Sequence, residues 1–175
     1  RATTTNQQIS GTLTAHNGLS QFSMAGWIFR ASNGTIQAWG TDETSTNNTS
    51  VQLWFDNKVY FNISNGSAAY GVFSPIVTGW NHYCFTFDGS QSGNSNRLKG
   101  YVNGLNVVLS YSGTIPSTLS SNVSNQTLRI GRAQSANIWS TGQFAELAMW
   151  ASVLSSDEVA SLGKGFSPIM VAPKS

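Results

Sequence analysis

Charge is what this sequence most clearly lacks. Only 9% of its 175 residues are charged, and nine basic residues against seven acidic ones leave a formal net charge of +2. The basic residues are spread along the chain without a run, so there is no electrostatic pattern of the kind that binds polyanions or an anionic membrane. We therefore expect no nucleic acid among the partners of this protein.

Cysteine is also scarce. Cys84 is the single cysteine, which excludes a disulfide within the chain. It lies in a strand-like segment, where the pattern favours a small buried apolar side chain. The alternative is a nucleophilic thiol assisted by His82, because positions 82 and 84 share one face of a strand, although no third group that would orient the histidine is evident.

Long apolar segments are missing too. No segment approaches the about 20 apolar residues that a membrane-spanning helix needs, and no signal peptide is recognisable. We therefore expect no insertion into a membrane. The sequence begins at Arg1 rather than at methionine, which we interpret as a processed chain, an excised domain or the ordered part of a longer protein.

Paired carboxylates, which glycoside hydrolases place on either side of the substrate, are not recognisable either. The seven acidic residues are Asp42, Glu43, Asp56, Asp88, Glu146, Asp157 and Glu158. Asp56 and Asp88 fall in turns, where carboxylates accept backbone hydrogen bonds. Asp157 and Glu158 fall in the first turn of a helix, which favours negative charge. The two histidines and one cysteine make no zinc site without help from carboxylates, so we expect a protein that is not an enzyme.

What the sequence does contain is a series of short strand patterns separated by turn residues. In the segment from Trp80 to Phe87, one strand face is predicted to carry Tyr83, Phe85 and Phe87, and the other face is predicted to carry Cys84. A later strand, Arg97 to Val102, runs into Asn103-Gly104. That dipeptide predicts a two-residue hairpin turn, because a type I′ turn needs positive φ at both positions.

Similar patterns predict further strands and one helix. The strands are Phe22–Arg30, Thr35–Trp39, Val51–Phe55, Val59–Ile63, Ala69–Phe73, Thr127–Gly131 and Gln143–Trp150, with an edge strand near Ile9. The helix begins with Ser155 and Glu158, which form a capping-box pattern, and Gly163 is a plausible end. We predict a β-sandwich over residues 1–163 and an extended C-terminal tail or linker over residues 164–175.

The residues around the hairpin also carry a family resemblance. Trp80, His82, the Asp88-Gly89 turn and the segment Tyr101-Val102-Asn103-Gly104 resemble the laminin-G-like branch of the concanavalin A-like superfamily, and the resemblance extends from about Phe22 to Leu162. It implies an all-β fold: a jelly roll of two antiparallel sheets with one short C-terminal helix. The superfamily includes lectins, adhesion modules, hydrolases and virus structural proteins, so the resemblance does not select a function.

Calcium is the cofactor that the resemblance raises, because many relatives hold it with loop acids and carbonyl oxygens. Their closing strand often reads Gly-x-x-Asp-Glu-Val, and here Ala145 stands where the aspartate would be. A calcium ion held by Asp42 and Glu43 remains an alternative to the expectation of no cofactor.

We expect any ligand to bind at the loops, which carry recognition in sandwich folds. The loop at 40–50 offers Asp42 and Glu43, and the loop at 133–142 offers Gln134, Asn137 and Trp139. Trp139 is predicted to be an exposed contact residue in the middle of its loop. The next candidate is the sheet face around Trp54 and Tyr60.

These observations favour a non-catalytic binding or assembly module, displayed outside the cell or on a virion surface. Its partner would be a glycan or a protein surface, and capsid or tail subunits are included because the segment Gly165–Ile169 resembles the corresponding segment of phage virion proteins. The alternatives are a lectin-like carbohydrate-binding module and, less favoured, a glycoside hydrolase. The oligomeric state is not predicted.

Overall fold

The computed structural model describes residues 9–32, 37–42, 51–74, 77–121, 127–133, 138–139 and 142–171. The strands in chain order are β1 (Ile9–Thr12), β2 (Gln21–Arg30), β3 (Gln37–Asp42), β4 (Val51–Phe55), β5 (Val59–Ile63), β6 (Tyr70–Phe73), β7 (Gly79–Asp88), β8 (Leu98–Val102), β9 (Leu105–Val107), β10 (Ser110–Ser112), β11 (Thr127–Ile130), β12 (Arg132–Ala133), β13 (Ile138–Trp139) and β14 (Gln143–Trp150). The helices are α1 (Asn94–Arg97), α2 (Ser156–Gly163) and a 3-10 turn at Pro168–Met170. None of these helices is long and apolar enough to cross a membrane.

The strands form two antiparallel sheets. One has seven strands in the order β1-β11-β3-β4-β5-β6-β10, and the other has five in the order β14-β2-β7-β8-β9. The short strands β12 and β13 pair with each other. The predicted all-β sandwich is therefore confirmed, and β1 lies at a sheet edge as expected.

The space between the sheets is filled by the alternating apolar residues of both. In β7, the side chains of Tyr83, Phe85 and Phe87 are buried in this core, while Cys84 belongs to a separate cluster on the other face, as the alternation predicts. Each fully buried large apolar side chain contributes about 1.5–3 kcal/mol relative to its exposed state. The two-residue alternation of β7 is thus sufficient to assign its inner face.

The second cluster lies outside the five-stranded sheet, where α2 covers it. Val159 and Leu162 of the helix are buried against Cys84 and Trp150. The capping box is present, since the Ser155 hydroxyl accepts from the Glu158 N–H and the Glu158 carboxylate accepts from the Ser155 N–H at 2.7 Å. The helix ends at Gly163, as predicted.

The central hairpin also agrees with its sequence signal. Val102 pairs with Leu105, which leaves Asn103 and Gly104 as the two turn residues. Their φ angles are 51° and 79°, both positive as a type I′ turn requires.

Several segments differ from the expectations. The segment between β7 and β8, for which no helix was predicted, contains the one-turn helix α1, and β14 is interrupted by a bulge between Ala145 and Ala148. Glu146 in this bulge has a φ of 50°. Local sequence does not reveal either feature, because one turn of helix or one extra residue is shorter than any usable periodicity.

The C-terminal segment is not extended over the residues that the structure describes. After the helix, Pro168 begins a 3-10 turn, and Val171 is buried beside Trp150. The indole Nε1–H of Trp150 donates to the Val171 carbonyl oxygen at 3.0 Å, which ties this segment to the end of β14. The division of the chain at residue 163 stays a prediction.

Two tryptophans of the five-stranded sheet differ in exposure. Trp150 is buried, but Trp80 is 43% exposed and contacts Phe29 on the neighbouring strand. The reason is that α2 covers only part of the outer face of the five-stranded sheet. A strand position alone does not show whether a second layer lies over it.

Candidate functional site

Five polar and aromatic side chains lie together on the outer face of the seven-stranded sheet. In β4 and β5, the residues that point into the core are buried and apolar, and the residues between them face outward. We call the outward group the amide–aromatic face; its members are Gln52, Trp54, Tyr60, Asn62 and Tyr70. The face arises from strict alternation, which places every second side chain on the side away from the core.

The strand register brings these residues from three strands into two rows. Trp54 lies opposite Tyr60, and Gln52 lies opposite Asn62, which in turn lies opposite Tyr70. Neighbouring strands are about 4.8 Å apart, and residues two apart along a strand are separated by about 7 Å. The face therefore measures about 10 Å across the strands and about 7 Å along them.

The three rings of the face contact one another. The Trp54 and Tyr60 ring centroids are 5.7 Å apart with planes tilted by 35°, and the Tyr60 and Tyr70 centroids are 5.5 Å apart in an edge-to-face arrangement. All three side chains are half-buried. Such ring pairs support one another by about 0.5–1.5 kcal/mol beyond burial, so the aromatic surface is held in place before any ligand arrives.

Polar contacts orient the groups at the margin of the face. The Ser64 hydroxyl donates to the Asn62 side-chain oxygen at 2.9 Å. The Tyr60 hydroxyl donates to one carboxylate oxygen of Asp56 at 3.3 Å, and the other oxygen accepts the Lys58 N–H at 2.7 Å. Burial, followed by the nearby Asp56 charge, raises the pKa of Tyr60, which keeps its hydroxyl protonated as a donor.

The row of the sheet that contains Asn62 and Gln52 leads to a basic residue, Arg129. Gly40 lies opposite Gln52, and Arg129 lies opposite Gly40. A Cβ at Gly40 would come within 2.2 Å of the Val51 carbonyl oxygen, so a side chain does not fit there. Arg129 is only 9% exposed and Gln52 only 8%, so the accessible part of the amide–aromatic face is formed by Trp54, Tyr60, Asn62 and Tyr70.

The five site residues expected from the sequence fall mainly outside the described residues. Glu43, Gln134 and Asn137 lie outside them altogether. Asp42 is the last residue of β3, opposite Thr127, rather than part of a loop. Trp139, predicted to lie in mid-loop, forms part of β13 and pairs with Arg132. A two-residue strand is too short to produce a recognisable pattern.

The backbone places Asp42 and Trp139 apart. β11 runs antiparallel to β3, so Thr127 meets Asp42 at one end of β3 while Ile130 meets Trp39 further along it. The β12–β13 hairpin follows Ile130 and therefore continues away from Asp42. Because β3 has six residues, its ends are about 16 Å apart. Whether either residue contacts a ligand stays a prediction.

Four of the described carboxylates, those of Asp56, Asp88, Glu146 and Glu158, are engaged in local structure. Asp88 accepts the Ser90 N–H and hydroxyl in its turn, and these bonds lower the pKa of Asp88. Glu146 accepts the Ser167 hydroxyl at 3.2 Å, and Glu158 caps its helix. Among the described residues, no three His, Cys, Asp or Glu side chains are grouped so that they could hold a metal ion. Glu43 lies outside the described residues, so a calcium ion held by Asp42 and Glu43 stays a prediction.

His82 and Cys84 share a strand face, but both are buried. Burial raises the pKa of the Cys84 thiol far above its ordinary value and lowers the pKa of His82 to about 4. A protonated thiol is a poor nucleophile. Cys84 lies in the cluster under α2, which supports the packing interpretation rather than the catalytic one.

The two-sheet sandwich agrees with a comparison against known families. Residues 2–160 match the family described as the concanavalin A-like lectin/glucanases superfamily. The chain belongs to this superfamily. No protein with a curated description matches it.

Several solved structures resemble the chain at low sequence identity. A pentraxin from Limulus polyphemus is 18% identical with a TM-score of 0.58, covering 89% of this chain and 75% of its own. The sialidase domain CBM40 from Ruminococcus gnavus, solved with α2,3-sialyllactose, is 17% identical with a TM-score of 0.63 and coverages of 83% and 84%. Domain 4 of an extracellular arabinanase from Geobacillus stearothermophilus, solved with arabinotriose, is 17% identical with a TM-score of 0.52 and coverages of 83% and 68%. At these identities the superfamily likeness establishes the fold alone.

Proposed function

We propose that this protein is a non-catalytic, lectin-like carbohydrate-binding module that holds an uncharged glycan on the amide–aromatic face. The observation that carries this proposal is the cluster of Trp54, Tyr60 and Tyr70 beside the amide of Asn62, with the amide of the mostly buried Gln52 next to it. Rings and amides in one outward-facing group provide the two kinds of contact that a sugar needs.

The chemistry of each half of the face is distinct. A sugar ring has an apolar side of C–H groups that packs against an indole or phenol ring, in the way that aromatic faces cover other apolar groups. Its hydroxyls are donors and acceptors, and an amide can satisfy both roles at once. Few polar groups placed beside an aromatic surface are typical of small-molecule sites.

An uncharged ligand follows from the charges around the face. Asp56 lies at its margin and is occupied by Tyr60 and Lys58, while Arg129 is almost fully buried. The nearest exposed cation is Lys58 in the same turn as Asp56, so the margin of the face carries one charge of each sign and offers an acidic sugar no net positive charge. The charge pattern favours a neutral glycan over a sialylated one.

The relatives support a binding role. Two of the three structures named above hold an oligosaccharide, α2,3-sialyllactose in one and arabinotriose in the other. In both cases the similar part is a domain of a sialidase or an arabinanase rather than the whole enzyme. A module of this kind acts outside the cell, and we place this protein there. The relatives named above do not support a virion role.

The loop site and the face make different predictions, and one experiment separates them. The whole chain would be screened on an array containing neutral and sialylated oligosaccharides, and affinity for the best ligand measured by calorimetry. We expect Trp54→Ala to weaken binding at least about tenfold, which corresponds to about 1.4 kcal/mol. The lost contact is the largest ring of the face.

Two tryptophan variants serve as controls for this measurement. Trp80→Ala removes an exposed tryptophan from the opposite sheet and should leave affinity unchanged. Trp139→Ala should also bind normally. If Trp139→Ala loses binding while Trp54→Ala keeps it, the ligand binds at the loops and the face proposal is wrong. If the array detects only sialylated ligands, the neutral assignment is wrong.

We also expect no hydrolysis of polysaccharides, because the carboxylates of Asp56, Asp88, Glu146 and Glu158 are hydrogen-bonded in turns, a bulge and a helix cap. Incubation of the protein with the glycan that it binds should release no reducing sugar. Release that disappears in Glu146→Gln would contradict the non-catalytic assignment and reveal a carboxylate pair completed by another acid.

A further inference from the structure

β2 ends in a buried cation that is not itself part of the amide–aromatic face. Arg30, its last residue, is fully buried between the sheets. Its Nη2 donates to the backbone carbonyl oxygen of Asp56 at 2.6 Å, and its guanidinium carbon lies 5.2 Å from the centre of the Phe55 ring. Arg30 therefore holds the start of the β4–β5 turn from inside the sandwich.

Asp56 connects this inner contact to the outer face. Its carbonyl oxygen points to Arg30, while its carboxylate accepts the Tyr60 hydroxyl and the Lys58 N–H. Its own N–H donates to the Lys58 carbonyl oxygen at 3.1 Å, which closes the turn. A displacement of Asp56 would therefore move the acceptor to which Tyr60 is bonded.

Arg30 is poorly suited to a purely stabilising role. Its Nε and Nη1 are buried and have no hydrogen-bond partner among the residues that the structure describes. Burial lowers the pKa of Arg30, which reflects the cost of removing its charge from water. One charged hydrogen bond, one ring contact and the nearby Asp56 charge offset this cost only in part. Replacing a buried charge of this kind with an apolar side chain of similar length is often tolerated.

We propose that Arg30 is a positioning residue for the amide–aromatic face. By anchoring the Asp56 carbonyl from within, it holds the Asp56 carboxylate where it binds the Tyr60 hydroxyl, and it thereby sets the Tyr60 ring against Trp54 and Tyr70. The expected effect of Arg30 on glycan affinity rests on the proposed glycan-binding function. The expected effect of Arg30 on the pKa of Tyr60 is independent of that function.

The test compares Arg30→Met with the wild-type chain by following Tyr60 in NMR spectra of tyrosine labelled at the ring carbon that bears the hydroxyl. In the wild type, Tyr60 should ionise above the ordinary tyrosine value of 10.0, and in Arg30→Met its pKa should fall toward that value. Affinity for the glycan identified on the array should fall about threefold to tenfold. Asp56→Asn added to Arg30→Met should weaken binding no further, because both changes remove the same contact.

Arg97→Met is the matched control. Arg97 also fastens loops through backbone carbonyls, those of Gln91 and Ile115, each at 2.8 Å, but these loops do not adjoin the face. This variant should leave the Tyr60 titration and the glycan affinity unchanged. An equal effect of both arginine variants would show a general loss of structure and would contradict the positioning role.

A measurement without any change at Arg30 covers the case in which Arg30→Met does not fold. In the wild type, the Arg30 guanidinium carbon resonance should shift as Tyr60 ionises, and this shift should be missing in Tyr60→Phe. A separate shift caused by Tyr83, whose charge also acts on Arg30 and whose pKa burial raises to about 12, should remain in both proteins. The proposal is wrong if Arg30→Met folds and its Tyr60 pKa equals that of the wild type. It is also wrong if the Arg30 resonance of the wild type does not respond to the ionisation of Tyr60. If the wild type binds no glycan but Tyr60 responds to Arg30, the proposed function fails and the positioning role stands.

Discussion

Gly104→Val is expected to lower the free energy of unfolding by about 3 kcal/mol or more, for two reasons that add. The first is backbone strain, since Gly104 has a φ of 79° and a β-branched residue held there costs about 1–3 kcal/mol. The second is contact with the helix, because a Cβ at this position would lie 2.9 Å from the Ala160 Cα. Displacing α2 would uncover Val159 and Leu162, which are buried against the sheet.

Gly66→Val separates these two contributions. Gly66 also follows an asparagine in a turn and has the same φ of 79°, but a Cβ there meets nothing within 4 Å. Urea unfolding of both variants should therefore give a loss of about 1–3 kcal/mol for Gly66→Val from strain alone, and a clearly larger loss for Gly104→Val. Equal losses in the two variants would show that the helix does not restrict the hairpin.

Close packing at this point is mutual. α2 ends at Gly163, and a Cβ at that glycine would lie 2.4 Å from the Gly104 backbone nitrogen. The hairpin is also tied to β7, since the Asn103 side-chain oxygen accepts the His82 N–H at 2.9 Å. The Asn103-Gly104 turn therefore joins three elements, which explains why one substitution there should have a large effect.

Acid is expected to destabilise the protein through His82, with a loss of up to about 3 kcal/mol between pH 6.5 and pH 4. His82 is 2% exposed, and burial lowers its pKa from the ordinary 6.5 to about 4. The unfolded chain therefore binds a proton in this interval that the folded chain does not, so stability is fully present above pH 6.5 and falls as the pH falls. Each unit of difference corresponds to about 1.4 kcal/mol.

The structural reason is that a charged imidazole would carry a buried Nδ1–H with no acceptor among the described residues. The Nδ1 atom of His82 is buried and has no hydrogen-bond partner among the described residues, and the ring packs against Trp27 at 5.5 Å. Protonation would create a buried, uncompensated charge on the outer face of the five-stranded sheet. We expect the folded state to resist it until the pH is low.

Urea unfolding at a series of pH values from 4 to 7 measures this effect. His82→Gln should lose most of the pH dependence over this interval, whatever its stability at pH 7, because the titrating group is gone. His16→Gln, which changes another buried histidine, keeps His82 and should therefore keep the loss. A wild-type protein whose stability is constant from pH 7 to pH 4 would contradict the assignment.

The sequence alone correctly predicted the features that depend on interactions between residues close together in the chain. The Asn103-Gly104 turn follows from the φ angles that asparagine and glycine tolerate, and the start of α2 follows from the reach of Ser155 and Glu158 across one helical turn. The inner face of β7 follows from the alternation of its aromatic residues. Each of these features depends on groups within a few residues of one another, so their neighbours in sequence are also their neighbours in space.

The candidate site is formed by residues that are far apart in the sequence, so the sequence alone did not identify all of them. The sequence identified the surroundings of Trp54 and Tyr60 as a second choice, but only the register of three strands places Tyr70 and the amides of Gln52 and Asn62 beside them. The preferred loop residue, Trp139, could not be assigned to a short strand pair, because its partner is selected by how the chain leaves β11.

Burial outside the core was decided by tertiary structure alone. Trp150 and Trp80 both occupy strands with similar patterns, yet Trp150 is covered by α2 and the C-terminal turn while Trp80 remains exposed. Arg30 likewise ends a strand, where a cation is ordinarily solvated, but the β4–β5 turn closes over it. In this protein, the Asn103-Gly104 turn, the start of α2 and the strand alternation were determined by the sequence itself. Which side chains a second layer covers, and which meet across strands, was determined by distant segments packing together, since burial is a property of the assembled sheets and not of any one strand.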